Sequence, residues 1–246
     1  MTKLIGGNIS DTPIKNIRDG SAFSAGGGAD GVAVDEAVAL IANFDATGTL
    51  FALGGNAAID SSRAPSFATN ALQLDGTNDN ATYSNFLAVV PANTAACIEA
   101  FVYSDLALAS PTTTRNIVSW GPNGTTGWRF CYDQTFQSIA LLDGNSNVLH
   151  SGNGNVPAQS TWTHVAACRN AAGNWGLFVG GTRYATASDA TALGSSTGNL
   201  IVGEGYAGDD WDGAISRLVV SIGYTPYDPT ISTLLVPNRL AQLLVG

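Results

Sequence analysis

Between Thr161 and Ser221 three β signals follow one another: WTHVAACRN, then WGLFVGGTRYA, then LIVGEGYAGDDWDGAISRLVVS. They read as successive strands of one sheet protein. Trp175 to Val179 and Arg183 to Ala187 are short β-prone runs on either side of Gly180-Gly181, and paired glycines supply the positive φ angles that a tight hairpin turn requires. Upstream, Trp128-Arg129-Phe130-Cys131-Tyr132 has the same strand character. The last signal carries an internal conflict. Trp211, Gly213 and Ile215 share one parity while Leu218 and Val220 have the other, which requires either a bulge or burial on both faces.

A chain of 246 residues can bury one substantial core, and all-β sandwiches of this length are routinely a single domain. Charged residues make up only 12% of it, Lys3 and Lys15 are its only lysines, and a net charge of −9 offers no basic stripe for DNA. Nucleic acid is therefore set aside as a partner. No apolar run approaches the ~20 residues of a membrane span, so membrane insertion is not expected. So few charges leave little to hold a monomer apart from its neighbours. A homo-oligomer is expected, a trimer for preference.

MTKLIGGNISDTPIK lacks the apolar core, about 7–15 residues long, of a secretory signal. Synthesis in a cytoplasm is the expectation. Cys97, Cys131 and Cys168 show no C-x-x-C or Cys/His spacing that would make a zinc site. They read as buried thiols acting as small hydrophobes, with a disulfide between two of them as the alternative.

Several fragments fall in the order seen in one family. Leu74-Asp75-Gly76 with Asp79 looks like its opening strand and turn, and Ile98-Glu99-Ala100-Phe101-Val102-Tyr103 like its "IEAWVY" strand. Trp162, His164, Val165 and Arg169 resemble "WxHVAxxR", and Leu177-Phe178-Val179-Gly180-Gly181 resembles "LYVNG". Trp211-Asp212-Gly213-Ala214-Ile215 with Leu218, Val220 and Ser221 resembles "FxGxIxxVxIS". Over roughly residues 66 to 228 the chain resembles a laminin-G-like domain of the concanavalin A-like jelly-roll group, of the kind found in phage virion proteins. The resemblance implies an all-β, two-sheet antiparallel sandwich. It does not imply one function, because this fold carries lectins, adhesion modules, enzymes and virion proteins alike.

Residues 1–65 do not match, and read as an N-terminal arm used in assembly or docking, ahead of a jelly roll over 66–233 and an apolar tail over 234–246. SAFSAGGGADG in the arm is Gly-rich and flexible in isolation. VAVDEAVALIANF fits either a short helix or a buried strand; FDATGTLFAL, read as a hairpin, favours strand.

The catalytic inventory is short. Glu36, Glu99 and Glu204 are the only glutamates, and none sits in the E-x-D-x-x-E strand motif of the glucanases that share this fold. Glycoside hydrolysis uses two carboxylates roughly 5–10 Å apart. Glu99 and His164 read as framework residues. His150, beside Ser151 in a Gly/Asn-rich loop, has no nucleophile elbow or positioned acid near it in sequence. GGNAAIDSS lacks the lysine of a phosphate-binding loop. No catalytic residue and no metal-ligand cluster is assigned.

A binding site is sought instead in the acidic loop GEGYAGDDWD, at Tyr206, Asp209 and Asp210. Its carboxylates either form a solvated loop or bind calcium, which takes about 6–8 oxygen ligands; no other cofactor is expected. Trp162 and Trp211 are expected in the core, and the pair bracketing WGPNGTTGW, Trp120 and Trp128, in part. The reading that follows is a non-enzymatic virion structural protein: a phage capsid decoration (cement) or small tail-associated subunit. Its partners would be other virion subunits such as the major capsid protein, with a surface glycan as a further ligand. The alternative is a carbohydrate-binding adhesin or receptor-binding module.

Overall fold

The computed structural model of the chain describes residues 38–42, 44, 51–86, 89–108, 113–121, 127–144, 146–194, 198–205 and 209–234. Among these residues all regular structure is strand. The strands are β1 (Val38–Ala42), β2 (Ala52–Gly54), β3 (Ala58–Asp60), β4 (Ala71–Asp75), β5 (Asn80–Phe86), β6 (Ala96–Ser104), β7 (Arg115–Trp120) and β8 (Trp128–Asp133). They continue with β9 (Ser138–Asp143), β10 (Ser146–His150), β11 (Thr163–Arg169), β12 (Asn174–Val179), β13 (Thr182–Ser188), β14 (Gly198–Val202) and β15 (Asp212–Ile222). Seven strands form one antiparallel sheet in the order β10-β9-β8-β7-β14-β5-β2, and eight form the other, in the order β13-β12-β11-β6-β15-β4-β3 with β1 also paired to β15. This is the two-sheet jelly-roll sandwich that the family motifs imply.

The hairpin between β12 and β13 turns on Gly180 and Gly181, with φ of 58° and 83°. Side chains with a Cβ are disfavoured at both positions, which is why the glycine pair was legible as a turn. The parity conflict in β15 resolves as a bulge: its register against β6 shifts between Ser216 and Val219, and Arg217 in the gap takes a φ of 48°. The extra residue returns Leu218 and Val220 to the core face that Ile215 occupies earlier.

Between the sheets Trp120, Trp128, Trp175 and Trp211 are each no more than 2% exposed. Burying a ring of that size contributes roughly 4–6 kcal/mol at about 25 cal/mol/Å². The buried indoles also find partners, Trp120 Nε1 donating to Phe86 O at 2.7 Å and Trp211 Nε1 to Tyr103 O at 3.0 Å. Trp162 departs from expectation. It has the parity of His164, Ala166 and Cys168, whereas Val165 and Ala167 face the core. It therefore lies half-buried on the outer face of the eight-stranded sheet, its Nε1 donating to Arg63 O at 2.9 Å.

That outer face is sealed by the chain itself. Cys97, Phe101, Ala166, Cys168 and Phe178 form a second apolar cluster with Tyr227 and Leu234, which arrive on the segment after β15. The segment is pinned along the sheet edge, with Arg183 N donating to Ser232 O at 2.9 Å and Leu234 N to Gly181 O at 2.7 Å. Beneath it, Glu99 Oε2 lies 2.8 Å from His164 Nε2 and accepts from Tyr227 OH at 2.6 Å. These are the framework roles read for Glu99 and His164. Cys97 and Cys168 are direct cross-strand partners of β6 and β11 and are joined in a disulfide, which corrects their reading as separate thiols. Cys131 is the free and buried one.

The sandwich also begins earlier than residue 66. β1 pairs with β15, β2 with β5 and β3 with β4, and Phe44 lies in the core at 5% exposure. The strand reading of VAVDEAVALIANF holds over Val38–Ala42. Residues 1–37, and the tail from 235 onward, lie outside the described residues.

Candidate functional site

At one rim of the sandwich the β14–β15 loop meets the turn between β4 and β5. The loop is closed at its base by Gly203 N donating to Ile117 O at 3.0 Å and Trp211 N to Gly203 O at 2.7 Å. From there it folds over the start of β7. Asn116 N donates to Asp209 O at 2.7 Å, and Asn116 Nδ2 and Ser119 Oγ both donate to Glu204 O at 3.3 Å. A Cβ on Gly205 would run into the buried Asn116 amide and crowd Asp209 Cβ, so a larger residue there would have to displace that amide.

The predicted site residues divide. Tyr206 lies outside the described residues. Asp209 is half-buried, and Arg129 Nη1 reaches its Oδ2 at 3.1 Å. Burial nevertheless raises the Asp209 pKa, outweighing the guanidinium that favours its charge. Asp210 is 3% exposed: its Oδ2 accepts from Asn78 N at 2.7 Å, and Arg115 Nη1 donates to its backbone carbonyl at 2.8 Å. It braces the loop against the neighbouring turn. Asp79 fixes that turn itself, accepting from Asp75 N at 2.6 Å, and ties it to the β2–β3 turn by accepting from Asn56 N at 2.5 Å.

Three residues beyond the predicted set belong here. Glu204 Oε2 accepts from Asn80 Nδ2 at 2.5 Å, and Thr82 Oγ1 donates to Asn80 Oδ1 at 3.1 Å, so a fixed amide lies against a fixed carboxylate. Arg129, on β8, lies opposite the core-facing Trp128 and Phe130, and so extends over the outer face toward Asp209. Glu204 was visible as a loop acid, but Asn80 is 124 residues away and nothing local joins the two. Beneath this group, burial pushes the Cys131 thiol up to about 12, which keeps it protonated and unreactive. Asp212, next along the rim, is raised by burial first and by the Asp105 charge second. Asp105 itself pairs with Arg63 at 2.7 Å.

Among the described residues no three acidic, His or Cys side chains converge as a metal site. Each carboxylate has a protein partner: backbone N–H groups for Asp79, a guanidinium for Asp209 and an amide for Glu204.

The sandwich with a polar loop rim defines a lectin-type fold, and sequence comparison agrees. The chain belongs to the concanavalin A-like lectin/glucanases superfamily, through the laminin-G family model Laminin_G_3, which matches residues 75–221. No curated protein sequence matches the chain. Among solved structures, domain 4 of AbnA is similar in fold at a TM-score of 0.50 and 13% identity, covering 76% of this chain and 82% of that one. It belongs to a GH43 extracellular arabinanase of Geobacillus stearothermophilus, solved with arabinotriose. The binding domain of Paraclostridial Mosquitocidal Protein 1 is similar at a TM-score of 0.52 and 10% identity, over 69% of this chain and 43% of that one. The present chain thus spans less than half of that structure's length. At such identities the likeness is one of fold.

Proposed function

We propose that this chain is a non-enzymatic recognition domain that binds a neutral carbohydrate at the rim formed by the β14–β15 loop and the β4–β5 turn. The observation that carries this is the pre-set pair of polar forks at the rim, Asn80 with Glu204 and Arg129 with Asp209. Planar amides, carboxylates and guanidinium groups held by their own hydrogen bonds offer sugar hydroxyls fixed donors and acceptors, with little ordering cost on binding. The arabinotriose in the arabinanase domain supports a sugar as ligand class. Hydrolysis is disfavoured because Glu204 and Asp209 are engaged by Asn80 and Arg129, while Glu99 is sealed on the other sheet.

The carrier in this proposal is a virion, on which the domain is a decoration or tail-associated subunit contacting the major capsid protein or other subunits as a homo-oligomer. The charge-poor composition supports a covered surface. A disulfide suits a protein made in a host cytoplasm that works outside it after lysis.

Calorimetric titration with arabinotriose and other soluble neutral oligosaccharides tests the site. Asn80→Ala and Asp209→Asn should each weaken binding at least about tenfold with little change in melting temperature. Sugar binding that ignores both variants, or release of reducing ends from any of these sugars, overturns the site or the non-enzymatic reading respectively. Native mass spectrometry tests the carrier, since a bare monomer that also fails to bind capsid particles removes the virion.

A further inference from the structure

Phe136 and His150 form an exposed aromatic stack, ring centroids 4.5 Å apart and planes 20° from parallel, that the rim forks do not use. Phe136 is 37% exposed and His150 is exposed beside it. Single exposed apolar residues are ordinary; two rings stacked on a rigid base are a different matter. Asp133 Oδ1 accepts from Thr135 N at 2.8 Å and from Phe136 N at 3.1 Å, which sets the β8–β9 turn. Gly154 N donates to Gln137 O at 3.1 Å, tying that turn to the loop after β10. Ser151 locks the loop in turn, its Oγ accepting from Ile139 N at 3.0 Å and donating to Asn155 O at 2.6 Å. Both rings are therefore held by backbone that has little freedom to move.

The placement relates the stack to the rim. His150 pairs with Ala140, so it shares the outer face of the seven-stranded sheet, opposite Ile139 and Leu141 in the core. The β8–β9 turn leaves the sheet at the end where Arg115 pairs with Tyr132, and Arg115 in turn holds the Asp210 carbonyl. From His150 on β10 to Arg129 on β8 is two strand steps, roughly 10 Å at about 4.8 Å per strand, and from β10 to β14, which leads into Glu204, it is four, roughly 19 Å. The stack and the forks therefore flank Arg115 along one rim of one face.

We infer that Phe136 and His150 form a second subsite that stacks one sugar ring of the same oligosaccharide whose farther residues meet the rim forks, the Arg129–Asp209 fork first. This rests on the carbohydrate reading above and extends it to a ligand of more than one ring. The chemistry around the stack selects the class. Gln134, Thr135, Asn153 and Gly154 are exposed beside it and carry no charge, and the nearby carboxylate, Asp133, is 8% exposed and committed to its turn. An apolar face ringed by amides and hydroxyls suits a ligand with C–H faces and hydroxyl edges, and the negative face of an aromatic ring attracts such C–H groups. Two rings are far too small for a stable protein interface, which buries more than about 1,000 Å².

The test is a titration of the full chain, followed through ring signals of Phe136 and His150 and side-chain amide signals of Asn80 and Asn116. Arabinotriose, xylotriose, cellotriose and maltotriose are the probes, with their monosaccharides as controls. At least one trisaccharide should shift rings and amides together, and Phe136→Ala should weaken it about tenfold while Phe136→Trp restores it. Amide shifts without ring shifts overturn the second subsite and leave the rim reading standing. Ring shifts without amide shifts keep the stack as a sugar site and remove the rim. If no probe moves either set, both readings fall.

Discussion

The outer face of the eight-stranded sheet and the rim of the seven-stranded sheet carry similar groups, carboxylates, an imidazole and aromatic rings, and hold them in opposite ways. On the first, Glu99 and His164 are each 3% exposed or less, covered by Tyr227 and Leu234 and stapled by the Cys97–Cys168 disulfide. On the second, Glu204 and Asp209 are half-buried, and Phe136 with His150 is open. A buried charge needs compensation from its neighbours, so a sealed cluster contributes to one rigid arrangement and has no group to offer a ligand. At the rim the same side chains keep one side toward solvent. Environment, rather than residue type, separates framework from recognition.

Damage to the sealed half should move stability and leave binding untouched, and damage at the rim should do the reverse. The largest expected effect comes from deleting residues 1–60, which removes β1, β2, β3 and Phe44; cooperative melting by circular dichroism should be lost, whereas deletion of 1–37 keeps all fifteen described strands and should melt cooperatively. A normal melt from the longer deletion would return the domain boundary to residue 66. Next comes Trp211→Ala, expected to cost about 3–5 kcal/mol in chemical denaturation. The backbone N–H of residue 211 that closes the β14–β15 loop survives this change, so any loss at the rim would come from the missing ring and its bond to Tyr103 O.

Replacing Cys97 and Cys168 together by Ala should cost about 2–4 kcal/mol, since the bond closes a loop with a sequence separation of 71. Sugar affinity should stay unchanged, and a loss of affinity at constant fold would erase the contrast. Tyr227→Phe removes one hydrogen bond to a buried carboxyl group and should cost about 1–2 kcal/mol by the same measurement.

The smallest effect tests the rim through pH. Burial raises the folded-state pKa of Asp209 and Asp212, so the stability tied to their protonated forms is fully present below the unfolded carboxylate value and lost as pH rises through the folded one. Asp60 and Asp189 run the other way: hydrogen bonds from Ser62 and Thr191 lower them, and their contribution is lost as pH falls through the folded value. Asp212→Asn should therefore stabilise the protein at neutral pH by no more than about 0.5 kcal/mol. That gain should vanish near pH 4, about where an unperturbed aspartate titrates. A gain that persists in acid would assign the effect to packing.

Much of the fold was legible because its determinants are local. Gly180-Gly181 needs only its own backbone angles to make a turn, and the parity clash between Ile215 and Leu218 announces a bulge or burial on both faces, between which the register against β6 decides. The family fragments supplied the order of strands. Less of the candidate site could be read. The acidic loop was found, but Asp210 turned out to brace a turn, and Asn80, Arg129 and Phe136 gave no signal of their own. Trp162 was assigned to the core because a tryptophan's size favours burial, and only strand parity against Val165 puts it outside.

The amino-acid order by itself determined several strands, the β12–β13 turn, a parity break in β15 and the superfamily, because period-2 patterning and backbone sterics act over a few residues. Tertiary structure decided the rest. Which cysteine faces which depends on the register of β6 against β11, and Glu99 meets Tyr227 across 128 residues only because the chain returns over its own sheet. Asn80 meets Glu204 because β5 pairs with β14. Each is a pairing of distant segments, set by the free energy of the whole packed core, to which no short stretch of sequence holds the key.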